Sequence, residues 1–152
     1  MMETNKISES LISLAQLDID AVHAYEQAIE KIGVDHVREQ LIQFRNDHQR
    51  HVTELSPLIS RLGGQPPEFK KDFKGYLIEG MTALRSVTGT EGALKAMKTN
   101  EELTNKKYEA ALGWELPQDI RQVVSRNRDD ERRHLEFVSR CIEQKVWERK
   151  AA

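Results

Sequence analysis

A long-range echo limits what this chain can fold into more than any other feature of its sequence. Advancing by 83 positions carries Tyr25-Glu26 onto Tyr108-Glu109, Ala28 onto Ala111, Arg45 onto Arg128, Asp47 onto Asp130, Arg50 onto Arg133 and His51 onto His134. Asp18 lands on Glu101, so an acid answers an acid. The period is far longer than that of a solenoid repeat, and it reads as two related helical hairpins within one domain, residues 1–152. The two halves should be pseudo-symmetric.

Apolar periodicity supplies the helices. Leu11, Leu14, Ala21, Tyr25, Ala28 and Ile32 follow heptad-like steps with Asp18 on the same stripe, which predicts a long helix from about Ser8 to Ile32, stopped at Gly33. Asp35 is a plausible N-cap for a second helix. Its stripe reads Val37, Leu41, Phe44, His48, His51, Leu55, Leu58 and Leu62, and Gly63-Gly64 ends it. Pro57 removes one backbone hydrogen bond inside that helix and should bend it near Thr53 without ending it. The third stripe is Leu94, Met97, Glu101, Thr104, Tyr108 and Ala111, closed by Gly113. Pro117 suits the first turn of a fourth helix with the stripe Ile120, Val124, Asn127, Glu131, His134, Val138 and Cys141.

Connection lengths set the topology. The first and second helices, and the third and fourth, are joined by short loops and should be antiparallel neighbours. Between Gly63 and Gly92 the residues Phe69, Phe73, Leu77, Met81 and Leu84 step by three or four, which predicts a short helix packed on the bundle inside a long crossover. The expected fold is an all-α four-helix bundle with that crossover between its second and third helices.

Asp18, His48, His51, Glu101, Glu131 and His134 then fall at interior positions. An unpartnered buried charge costs several kcal/mol, so a compensating partner is required. A bound metal would supply it, the alternative being a buried polar network without one. Histidine follows another candidate ligand by three residues in both His48-x-x-His51 and Glu131-x-x-His134, a spacing that turns both side chains to one helix face. Carboxylate oxygen with imidazole nitrogen suits iron, manganese or zinc, and the absence of a cysteine from this set argues against a thiolate site. A small phase error in the first helix would bring in Asp20, His23 and Glu26, and one in the third would bring in Glu102. Tyr25 and Tyr108 lie two turns beyond Asp18 and Glu101, and helical side chains lean toward the N-terminus. They are either hydrogen-bond donors to the ligands or packed core tyrosines. Asp47, Asp129 and Asp130, among Arg45, Arg50, Arg128, Arg132 and Arg133, read as exposed helix salt bridges.

Composition excludes more than it selects. Charged residues make up 32% of 152 but nearly cancel, to a formal net charge of −2, and the basic residues are dispersed, so no nucleic-acid surface is expected. Cys141 is the single cysteine, which rules out an intrachain disulfide. The polar start carries no basic stretch followed by an apolar run, and no segment approaches the roughly 20 apolar residues of a membrane span. The expectation is a soluble cytoplasmic protein with neither nucleic-acid nor membrane partner.

Glu131-x-x-His134, the inward Glu101 and the second motif 83 residues earlier resemble the ferritin-like di-metal carboxylate superfamily. The chain is also similar to small bacterial four-helix-bundle proteins of that superfamily, notably at Asp20-Ala-Val-His-Ala-Tyr25, Leu62-Gly-Gly and Tyr108-Glu-Ala-Ala-Leu112. The resemblance implies a glutamate on helices one and three and Glu-x-x-His on helices two and four. Glu101, Glu131, His134 and His51 match that scheme, whereas His48 stands where a bridging glutamate is expected and Asp18 is shorter than the usual acid. Iron becomes the leading metal, with zinc and manganese behind it, one ion or two, and the implied chemistry is peroxide or dioxygen reduction linked to iron oxidation. A homodimer is also implied. The rival expectation is a non-catalytic, stress-related or partner-binding bundle with a structural, zinc-like ion or none.

Overall fold

Each of the four apolar stripes winds into a helix because a period near 3.6 residues gathers its apolar side chains on one face. The computed structural model describes residues 3–69 and 87–148. It places α1 at Thr4–Lys31, α2 at Asp35–Arg61, α3 at Gly89–Ala111 and α4 at Gln118–Glu143, followed by a 3-10 turn at Val146–Glu148. Among the described residues there is no strand, and the fold is an all-α four-helix bundle. The short helix expected between Phe69 and Leu84 falls almost wholly on residues 70–86, outside the described residues. Phe69 itself is exposed and not helical, contrary to its expected place at the start of a helix packed on the bundle.

Helix ends differ from the sequence reading in instructive ways. Asp35 is the first residue of α2 and not its cap; Val34 holds the cap position, and the Asp35 carboxylate instead pairs with Arg38 one turn on. Pro117 likewise sits at the cap of α4, one position before the expected first turn. α2 runs unbroken through Pro57, as expected, and beyond it Ile59 is buried while Leu58 and Leu62 are only half-buried. Seven-residue steps drift slowly around a straight helix, so a strict heptad extrapolation loses its face after several turns.

Both ends of α1 meet a neighbour closely. Gly63 ends α2 at φ +86, and a Cβ on Gly64 would stand 2.0 Å from Ser8 Oγ, so only glycine lets the chain pass this close to the start of α1. At the other end the Gly33 amide donates to Thr90 Oγ1 at 2.8 Å, and Lys31 Nζ donates to the Val87 carbonyl at 2.8 Å. The beginning of α3 is therefore fixed beside the α1–α2 turn, and α1 and α3 run in opposite directions.

The core is layered along the bundle. Near the α1–α2 turn, Tyr25, Ala28, Val37, Leu41, Phe44, Leu94, Met97, Val138 and Cys141 form one apolar cluster, against which Trp147 packs. At the other end Leu11, Leu14, Leu55, Ile59, Tyr108, Ala111, Ile120 and Val124 form a second, with Trp114 against it. Between them lies a polar layer: Asp18, His48, His51, Glu101, Thr104, Asn127, Glu131 and His134 are all buried. No described helix is long and apolar enough to cross a membrane.

Candidate metal centre

Six ionisable side chains from four helices converge in this layer. Asp18 comes from α1, His48 and His51 from α2, Glu101 from α3, and Glu131 and His134 from α4; none is more than 1% exposed. They form two overlapping groups, each able to hold a metal ion: Asp18, His48, His51 and Glu131, and His48, Glu101, Glu131 and His134. His48 and Glu131, one opposite the other in the 83-residue echo, are common to both.

In the first group His48 Nδ1 and His51 Nδ1 lie 2.7 and 2.9 Å from Asp18 Oδ1, hydrogen-bond distances, and 3.4 and 3.5 Å from Glu131 Oε1. The second group is looser. His48 Nε2 is 3.4 Å and His134 Nδ1 3.5 Å from Glu101 Oε1, and His134 Nδ1 is 3.6 Å from Glu131 Oε2. Bonds of about 2.0–2.2 Å to a tetrahedral ion separate its ligand atoms by about 3.3–3.6 Å, so the second group already has that spacing. Glu131 Oε1 and His134 Nδ1 have no hydrogen-bond partner although both are buried. Such atoms are costly unless something else satisfies them.

The outer ring nitrogens are fixed by carboxylates that the sequence reading assigned to surface salt bridges. His51 Nε2 is 2.9 Å from Asp130 Oδ2, and His134 Nε2 is 2.8 Å from Asp47 Oδ2, so each aspartate reaches across from α2 to α4 or back. An ionised carboxylate only accepts, so each Nε2 carries a proton; Nδ1 is the nitrogen left facing the layer, and it offers a lone pair there once the ring gives up its second proton. Arg133 in turn donates to Asp47 at 2.8 Å and to Asp130 at 2.9 Å, while Arg50 donates to Asp130 and lies 3.4 Å from Asp47. Asp129 pairs with its neighbour Arg128 and remains a surface residue, as expected. The signal for Asp47, Arg50, Asp130 and Arg133 was present in the echo itself, which repeats them although they lie off the apolar stripe.

The tyrosines are core residues and hydrogen-bond donors at once. Tyr25 OH donates to Glu101 Oε1 and Tyr108 OH to Asp18 Oδ2, each serving the acid of the other hairpin and not the one on its own helix. Thr104 Oγ1, 3.2 Å from Glu101 Oε2 and 3.1 Å from Glu131 Oε2, can donate to either of these acids. Of the nearby alternatives, Glu26 and Glu102 are exposed, Asp20 is buried but accepts from Gln16 at 3.1 Å, and His23 is half-buried. None of the four belongs to either group.

Electrostatics in the layer are strongly mutual. Burial alone would push the Asp18 carboxyl up, but the charge on His51 and hydrogen bonds from His48 and His51 overcome it and hold Asp18 below its usual value. Burial likewise opposes ionisation of Glu101, yet His134 and His48 hold it well below the ordinary carboxylate range. For His48 burial opposes the charge, but Glu131, Asp18 and Glu101 outweigh it and raise the ring to about 9. His51 and His134 are driven up against the same opposition of burial, chiefly by Asp18 and Asp130 in one case and by Glu101 and Asp47 in the other. Without a metal, protons hold these acids and imidazoles together; a metal bound here would have to displace them.

No curated protein matches this chain. Residues 6–113, which run from the first turns of α1 to the turn after α3, match the family model described as Domain of unknown function (DUF2383), and the chain belongs to that family.

Proposed function

We propose that this protein is a ferritin-like metal-binding bundle, that its resident metal is iron, and that its chemistry is iron oxidation linked to dioxygen or peroxide. The observation that carries metal binding is the pair of orphaned buried atoms, Glu131 Oε1 and His134 Nδ1, inside a set of oxygen and nitrogen donors at ligand spacing. The donor set contains no sulfur and mixes carboxylate with imidazole, which suits iron, manganese or zinc. Iron bound there would supply one-electron redox chemistry.

The chain's own residues would do the rest. Asp47 and Asp130 hold the His134 and His51 rings in the tautomer that offers Nδ1. Tyr25, Tyr108 and Thr104 donate to carboxylate oxygens, which fixes how Glu101, Asp18 and Glu131 face the interior. The apolar clusters on either side limit water around the site, which strengthens each of these interactions.

A second reading has its own support: each group offers four donors, the number that closes a structural tetrahedral zinc site. Metal analysis of protein purified without added metal, beside a His51→Ala/His134→Ala double variant, tests the binding. A parent without metal, or a variant with as much metal as the parent, overturns it. Consumption of dioxygen or peroxide by the ferrous-loaded protein is expected for the redox reading, and a ferrous form inert to both leaves the structural-ion reading standing.

A further inference from the structure

We propose that the site holds two metal ions and that the ring of His48 bridges them, with one nitrogen on each. This rests on the reading of the polar layer as a metal site and goes beyond it in stating nuclearity and bridge. The observation is how His48 and Glu131 divide their atoms. His48 Nδ1 faces Asp18 Oδ1 at 2.7 Å and Glu131 Oε1 at 3.4 Å, whereas Nε2 faces Glu101 Oε1 at 3.4 Å. Glu131 splits in the same sense, Oε1 standing 3.5 Å from His51 Nδ1 and Oε2 3.6 Å from His134 Nδ1.

Each ion then has one complete set of four donors. The first is Asp18, His51 Nδ1, His48 Nδ1 and Glu131 Oε1; the second is Glu101, His134 Nδ1, His48 Nε2 and Glu131 Oε2. No donor atom is used twice. His48 differs from His51 and His134 in the feature a bridge requires: their Nε2 atoms are occupied by Asp130 and Asp47, while both nitrogens of His48 point into the layer.

Charge supports the same count. Bridging requires the ring to release both N–H protons to solvent, one displaced by each incoming ion, leaving an imidazolate with one negative charge. With the ligated carboxylates of Asp18, Glu101 and Glu131 the layer then carries four negative charges, which two divalent cations cancel. Outside it, Asp47 and Asp130 are balanced by Arg50 and Arg133. A buried site with no residual charge avoids the large cost of an uncompensated one.

The test uses the full chain and two probes. Zn(II) titration against a chromophoric chelator should give two ions per chain; one ion overturns the bridge and leaves the proposed metal function intact, and none overturns both. Cu(II) followed by electron paramagnetic resonance should give a signal with the first equivalent that falls away with the second, because an imidazolate couples the two spins. A signal that doubles overturns the proposal. In His48→Gln, with circular dichroism as the check on folding, the coupling should disappear; coupling that persists makes Glu131 the bridge and sinks the assignment. The wild-type copper titration decides the matter even if that variant does not fold.

Discussion

The two halves of the polar layer occupy equivalent places in the 83-residue echo, yet they are closed to different degrees. Around Asp18, His48 and His51 approach a single oxygen to 2.7 and 2.9 Å, so this half is drawn together by hydrogen bonds. Around Glu101, His48 and His134 stand off at 3.4 and 3.5 Å, and His134 Nδ1 has no hydrogen-bond partner. The contrast teaches that similar ligands can give one half that must open to admit an ion and one already spaced for it. The shorter Asp18 does not explain the tightness by reach; what differs is that two histidines of one helix share its oxygen, whereas Glu101 takes one from each of two helices.

The most drastic way to break the comparison is to remove what both halves share. Glu131→Ala should lower metal affinity by more than the roughly 100-fold that marks the upper end for a residue that merely orients a ligand, and competition with a chelator measures it. Next, His134→Ala should abolish the tighter binding event and His51→Ala the weaker one, because the open half is filled first; a calorimetric titration in which His51→Ala loses the tighter event would reverse the order. Asp47→Asn and Asp130→Asn should each weaken binding by about 10–100-fold by releasing a ring from its fixed orientation, with the fold retained.

Acidity sharpens the comparison in the metal-free protein. A histidine raised from 6.5 to about 9 contributes its full stability below 6.5 and loses it as pH climbs through about 9. Chelator-treated protein should therefore melt at progressively lower temperature across that window, while the metal-loaded form, whose ligands are already deprotonated, should not. A flat profile for the stripped protein would show that His48 carries no stabilising proton. The tyrosines are read in the stability of the fold and not in metal affinity. Tyr25→Phe and Tyr108→Phe each delete a hydrogen bond to a buried carboxylate, worth about 1.5–3 kcal/mol in thermal or denaturant unfolding. Unequal losses from the two would extend the asymmetry beyond the ligands.

Much of this site was legible in the chain. Asp18, His48, His51, Glu101, Glu131 and His134 sit on apolar stripes, and a charged residue on such a stripe has nowhere to go but inside. Asp47 and Asp130 were misread because they lie off the stripe beside arginines, where a local salt bridge is the usual outcome. They do meet arginines, but each also crosses to a histidine of another helix, and i to i+3 or i+4 rules describe one helix at a time. The tyrosines were placed at the right depth and their partners lay on the opposite helix for the same reason.

What the sequence by itself determined is therefore the set of four helices, the face each one buries and the level at which its polar residues enter the core. Those follow from helical periodicity and from loop length, both local properties. Only the tertiary structure decided that His48 presents a nitrogen to each half, that Asp47 holds His134 and Asp130 holds His51, and that one half is closed while the other stands open. These depend on the distances and angles between helix axes, which whole-core packing sets to a fraction of an ångström and no single helix encodes.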